Sequence, residues 1–178
     1  MISNLKYNKI LWILVSFLTL TAALTGVFNT GIYSKVVGQD VITGVISQDL
    51  TSIVAAIIVL VFSVLIKERD IKKQIVVIGI LGYLFYAYGI YVIEQFYNSF
   101  YFIYMAVFAL SFYAIVYGVA NIRSEIKEKV ELPRLTRYVS VGFSLFIPLL
   151  FYPLWISQLL PLIQEGRRIE SMLSLIHI

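Results

Sequence analysis

Apolar residues in this chain come in long unbroken runs, separated by short clusters of charge. Runs at about 10–28, 47–66, 75–93, 99–120 and 138–157 each approach the roughly 20 residues needed to cross the hydrocarbon of a bilayer. The apolar positions are continuous, not alternating, which excludes the strand pattern of a membrane β-barrel. Backbone N–H and C=O groups find no water in hydrocarbon, so each run is expected to be a helix that satisfies its own polar backbone. The pattern therefore predicts an all-α, polytopic transmembrane helix bundle of about five spans, a single transmembrane domain over 1–178.

Some segments carry a second reading. Lys6 and Lys9 precede the first run and Thr21-Ala22-Ala23 offers small residues within it, the outline of a cleaved signal. The run is longer than the roughly 7–15 residues of a signal core, so a retained helix is expected, with cleavage as the alternative. Pro148 and Pro153, with Pro161 beyond, predict a kinked or broken fifth helix, because proline removes a backbone donor and clashes with the preceding turn. The segment 123–137 mixes Glu125, Lys127, Glu128, Lys129 and Glu131 and reads as a solvated connector stopped by Pro133. At the other end, Leu175-Ile176-His177-Ile178 has the form of translated adaptor read-through. Residues 173–178 are therefore expected to be non-native, and the protein to continue beyond them.

Charge then sets orientation. Lys6, Lys9, Lys67, Arg69, Lys72, Lys73, Arg123, Lys127, Lys129, Arg134 and Arg137 fall on one side of five alternating spans, and only Lys35, Arg167 and Arg168 on the other. The side rich in Lys and Arg is expected to be cytoplasmic, which places the N-terminus inside. Composition agrees with a lipid environment: 60% of residues are hydrophobic, 13% are charged and the mean hydropathy is +0.90. Soluble domains carry about 25% charged residues. The net charge of +4 is spent on these inter-run clusters, so nucleic acid is not an expected partner. The absence of cysteine excludes disulfides, thiolate metal sites and cysteine nucleophiles.

Few polar residues remain as candidates for chemistry. Asp49 is read as opening helix two and Glu94 as closing helix three, both toward the outer side with Asn98 and Tyr97. Adjacent antiparallel helices would bring these two carboxylates together at an outer mouth suited to a cation or a basic ligand group. The bland alternative has Asp49 capping a helix N-terminus and Glu94 facing interfacial water. Tyr86, Tyr104 and Tyr113 are deep enough to need hydroxyl partners in the bundle. Gly79, Gly82 and Gly89 share a face of helix three with Tyr86 and predict close helix packing, within the chain or against another copy or membrane helix. Ser16, Thr19, Thr21 and Thr25 in helix one are expected to bond back to carbonyls or across to neighbours. No Gly-rich phosphate loop, nucleophile elbow or usable histidine is present, so no catalytic residue, metal or cofactor is expected.

Gln48-Asp49-Leu50, Gly82-Tyr83-Leu84 with Tyr86, Phe96-Tyr97-Asn98, Leu110-Ser111, and Leu160-Pro161 with Gly166 resemble a family of uncharacterised bacterial multi-pass membrane proteins. The resemblance implies a chain truncated before a further aspartate-led apolar segment and a last span. It also implies roles beyond packing for Asp49, Tyr86, Tyr97 and Asn98, and it carries no assigned activity. The expected function is a non-enzymatic protein of the cytoplasmic membrane, an accessory, sensor or structural subunit whose surroundings are the lipid bilayer. The alternative is a small transporter or ligand-binding membrane protein with its site at the outer ends of helices two to four.

Overall fold

The computed structural model describes residues 5–34, 36–67 and 70–125, and scattered positions between 135 and 160. Four long helices account for most of them: α1 (Leu5–Phe28), α2 (Gln39–Leu65), α3 (Ile71–Ile93) and α4 (Tyr101–Glu125). A short 3₁₀ turn at Thr30–Ile32 links α1 to α2. All four helices contain a stretch long and apolar enough to cross a membrane, and no strand occurs among the described residues. The described residues are thus all-helical and of membrane-embedded character. Half of the fifth expected run lies outside the described residues, and Tyr138, Val139, Leu145, Leu149 and Pro153 within it are helical and exposed. Residues 173–178 lie outside the described residues. The chain divides into two compact units, 1–127 and 128–178. The four helices belong to the first.

The helices are longer than the apolar runs, most of all at α2, which starts at Gln39 and not near 47. Gly38 has extended geometry (φ −62°, ψ 153°) and ends the connection. From there, polar Gln39 and Thr43 continue the helix outside the apolar stretch, because an extra turn satisfies backbone groups that would otherwise be free. Hydrophobicity marks where lipid begins, not where the helix begins. Asp49 is consequently ten residues inside α2 and does not cap it, which corrects its expected place at the helix start.

α1 packs against α2 and α4, and α3 against α4 and α2, closing a four-membered ring. The short connections force an up-down-up-down order. At one end, here the upper, lie the α1–α2 and α3–α4 connections. At the lower end lie the start of α1, the α2–α3 turn and the end of α4. Trp12, Val59, Val77, Leu81, Leu84, Tyr88 and Val107 fill the interior. Phe17, Val54, Val64 and Phe102 point outward. An apolar exterior over an apolar interior is the surface that lipid tolerates and water does not.

Local chemistry fixes both kinds of connection. In the lower turn the Asp70 carboxylate accepts from the Lys67 backbone N–H at 3.2 Å and from Lys73 Nζ at 3.3 Å. The Lys67 N–H first and Lys73 second hold its pKa below the usual carboxylate value. At its upper end α3 closes with a left-handed residue, Gln95 (φ 56°). Phe96 N–H donates to Tyr91 O at 3.0 Å and Gln95 N–H to Val92 O at 3.2 Å, the paired bonds of a Schellman cap. The apolar contact of that motif is Phe96 stacked on Tyr91, with ring centroids 4.9 Å apart. A side chain in this backbone region is unfavourable, and glycine removes the conflict. Gln95→Gly is therefore expected to stabilise the protein by about 0.5–1 kcal/mol in denaturant titration in micelles. A loss of stability would show that the Gln95 side chain makes a compensating contact.

Candidate functional site

The upper third of the bundle holds a carboxylate among tyrosines. Asp49 lies ten residues into α2, roughly 15 Å along the helix from Gln39 at 1.5 Å per residue. Its side chain is buried. Tyr33 OH donates to Oδ2 at 2.6 Å and Tyr91 OH donates to Oδ1 at 3.0 Å, so each oxygen receives one phenol. Tyr91 OH also lies 3.4 Å from Val45 O. Among the described residues no ion pair involves Asp49; the only one is Lys73–Asp70.

Each donor is placed by a separate local feature. Tyr33 closes the 3₁₀ turn after α1 and is completely buried, which swings a loop residue over the carboxylate from above. Burial first, then Tyr91 and Asp49, push its phenol well above the ordinary tyrosine range, so it remains a donor. Tyr91 is the residue whose carbonyl anchors the α3 cap, and Phe96 of that cap stacks on it. Tyr104 of α4 packs against Tyr91 with centroids 5.0 Å apart, and Tyr88 against both. Gly26 of α1 completes the wall. A Cβ at Gly26 would collide with Asp49 Oδ2 and Tyr33 OH, so the close approach of α1 requires glycine.

The other expected site residues scatter around this centre. Glu94 is the C-cap residue of α3 and partly exposed; it is not among the hydrogen-bond partners of Asp49. Asn98 works locally. Its Oδ1 accepts from Phe100 N–H at 2.9 Å, and its Nδ2 donates to Tyr104 OH at 3.1 Å. It thereby caps the approach to α4 and aims a tyrosine at the centre. Tyr97 is exposed and pairs edge-to-face with Tyr101. Tyr86 and Tyr113 are also exposed, which corrects the expectation that both need partners inside the bundle. The glycine face of α3 divides. Gly89 abuts Phe108 of α4, while Gly79 and Gly82 have nothing within 4 Å of an ideal Cβ. The packing seam expected there is thus filled within the described chain only at Gly89.

Sequence reasoning does not single out Tyr33, Tyr88 or Tyr91, and it reaches Phe96 only as part of the motif Phe96-Tyr97-Asn98. Tyr33 belongs to a connection, where no periodicity reports burial. Tyr88 and Tyr91 carried a usable signal: with Leu84 and Leu81 they fall at three- and four-residue steps, the face that α3 buries. Beside the centre, Gln48 Nε2 donates to Ala87 O at 3.0 Å and Tyr83 OH to Gln48 O at 3.3 Å, tying α2 to α3. Chemically, the centre offers one carboxylate, neutral donors and an apolar wall. No group of His, Asp or Glu able to hold a metal occurs among the described residues. A carboxylate inside a span that lacks a basic partner suits a proton, a small cation or a basic ligand group. No family model, no curated protein and no solved structure matches the chain.

Proposed function

We propose that this chain is a non-enzymatic, five-span protein of the cytoplasmic membrane, N-terminus inside, that binds a cation or a cationic group at Asp49. The upper end of the bundle is then the outer side. The observation that carries the reading is the burial of Asp49 within an apolar helix, with both oxygens held by tyrosines. An ionisable side chain at such depth is costly and usually marks a ligand or ion pathway. A purely structural subunit has less use for it, since a leucine would fill the same volume without desolvation. That second reading treats Asp49 as a hydrogen-bonded staple joining the α1–α2 connection, α2 and α3.

Thermal unfolding of the chain in nanodiscs separates the two. The binding reading expects the midpoint of the wild type to respond to pH, to alkali cations or to alkylammonium ions, and the response to vanish in Asp49→Asn. Binding at 100 times Kd is worth about 2.7 kcal/mol, a shift readily measured. Identical responses of wild type and Asp49→Asn to every one of these conditions would leave only the staple.

A further inference from the structure

Tyr33 is the donor to Asp49 that no long helix holds. It ends the 3₁₀ turn Thr30–Ile32, and its side chain is completely buried while Asn29, Thr30, Gly31 and Ser34 around it are exposed. Connections run over the surface and ordinarily leave their side chains there. Here one ring turns inward and ends on Asp49 Oδ2 at 2.6 Å. The other hydrogen bonds of the connection are local: Ile32 N–H to Asn29 O, Val36 and Val37 N–H to Tyr33 O, and Ser34 Oγ to Gly31 O. Among the described residues, Tyr33 is thus the side chain that bonds the connection to the bundle.

Tyr91, the second donor, is fixed. It lies inside α3, Phe96 and Tyr104 pack on its ring, and its hydroxyl has Val45 O at 3.4 Å as a further acceptor. A cationic group that pairs with Asp49 must take an oxygen now held by a phenol, since each of the two oxygens accepts one. The α1 side is closed, because even a Cβ at Gly26 would meet Asp49 Oδ2 and Tyr33 OH. The group that can leave is Tyr33, and its exit lies toward the exposed connection. The place of a ligand is therefore the place of the Tyr33 side chain. It offers one position for a hydrogen-bond donor at Oδ2. Behind that position is a ring-sized apolar space bordered by Tyr91 and Phe96, whose centroids each lie 6.3 Å from that of Tyr33.

We infer that Tyr33 is an internal stand-in for the ligand, and that the ligand is a primary ammonium on a compact apolar body. This rests on the proposed binding role of Asp49 and names the class of its cation. The ammonium replaces the Tyr33 hydroxyl as donor to Oδ2, now with opposite charge to the carboxylate, and its body replaces the ring. Quaternary ammonium groups have no N–H and cannot make that bond. A bare alkali ion needs a shell of oxygen lone pairs, whereas both phenols turn their hydrogens toward Asp49. Aromatic faces within about 6 Å favour an organic cation. Withdrawal of Tyr33 with nothing in its place would take a donor from a buried carboxylate, so the ring is exchanged for a ligand and does not simply swing free.

Cyclohexylammonium is the probe, because it is charged at neutral pH and carries its nitrogen on the ring where Tyr33 carries its oxygen. Titration calorimetry of the full chain in phosphatidylcholine nanodiscs, with empty nanodiscs subtracted, is expected to show saturable binding to wild type and none to Asp49→Asn. Tyr33→Ala removes the competitor and is expected to bind at least tenfold more tightly, since wild type binds only through its open fraction. Cyclohexanol and tetramethylammonium are expected to bind Tyr33→Ala at least tenfold more weakly than cyclohexylammonium. An affinity of Tyr33→Ala equal to or below that of wild type overturns the stand-in role, because losing a mere staple loosens the site. Equal binding of cyclohexanol and cyclohexylammonium shows an apolar hole and overturns the ligand class. Where Tyr33→Ala does not fold, Tyr33→Phe, which lacks only the hydroxyl, is expected to bind severalfold more tightly than wild type, and an unchanged affinity overturns the inference. Absence of cyclohexylammonium binding throughout, with an Asp49-dependent response of unfolding to pH or alkali cations, overturns this inference and leaves binding at Asp49 standing. Absence of both overturns the binding reading as well.

Discussion

Gly26→Ala is expected to destabilise the protein by about 2–4 kcal/mol, an unusually large effect for one methyl group. An ideal Cβ at this position meets Asp49 Oδ2 and Tyr33 OH in contacts that real side chains essentially never show. Neither neighbour yields easily. Asp49 is bound at both oxygens, and Tyr33 is buried against Tyr91 and Phe96. Relief requires either that α1 move away from α2 or that the Tyr33–Asp49 bond break. The first route is overpacking, at about 1–3 kcal/mol, and the second a lost hydrogen bond to a carboxylate, at about 1.5–3; either one with part of the other gives about 2–4. Gly82→Ala is the control, since open space surrounds that position. It should be near neutral or mildly stabilising, as alanine is the better helix former. Denaturant titration followed by circular dichroism measures both, and equal effects at 26 and 82 would contradict the packing described.

Asp49→Leu is expected to destabilise by about 2–6 kcal/mol, because two buried phenol donors lose their carboxylate acceptor at about 1–3 kcal/mol each, Tyr91 keeping only the long bond to Val45 O. The informative experiment is the recovery. Tyr33→Phe and Tyr91→Phe together, added to Asp49→Leu, remove the orphaned hydroxyls and should restore most of the loss. Replacing all partners of a buried polar cluster by apolar groups of similar shape is nearly neutral, whereas removing one partner is not. The double phenylalanine change alone should be harmful, since it strands a carboxylate among aromatic rings. Strict additivity of the three substitutions would mean that Asp49 and the tyrosines do not act as a unit.

The helices were legible in the sequence because hydrocarbon imposes one rule on every span. Four of the apolar runs coincide with α1 to α4, and the errors are at the ends. α2 begins at Gln39 because polar residues extend a helix as readily as apolar ones once it leaves the hydrocarbon. The candidate site was legible only in part. Asp49 stood out because acidic residues are rare near apolar runs, but its partners could not be read. Tyr33 comes from a connection, and tyrosines elsewhere in the chain, such as Tyr86 and Tyr97, are exposed. Composition cannot tell a buried tyrosine from a surface one. Position on a packed face can: Tyr88 and Tyr91 lie on the buried side of α3 and Tyr86 does not. Ser16, Thr19, Thr21 and Thr25 stood out as hydroxyls of helix one, yet only contacts reveal that, among the described residues, Ser16 Oγ and Thr19 Oγ1 have no hydrogen-bond partner while Thr21 and Thr25 bond back to the helix.

Placement of Asp49 in the outer third of a membrane-spanning bundle is tested most directly by labelling single cysteines. The chain has no cysteine, so each introduced thiol reports alone. Ser34 and Ser99 are exposed in the two upper connections, and position 124 lies at the lower end of α4. An impermeant thiol reagent applied to intact cells is expected to label Ser34→Cys and Ser99→Cys, and to label Ser124→Cys only after lysis. Labelling of Ser124→Cys on intact cells, with protection of Ser34→Cys and Ser99→Cys, would put Asp49 toward the cytoplasm and contradict the orientation on which the proposed function stands.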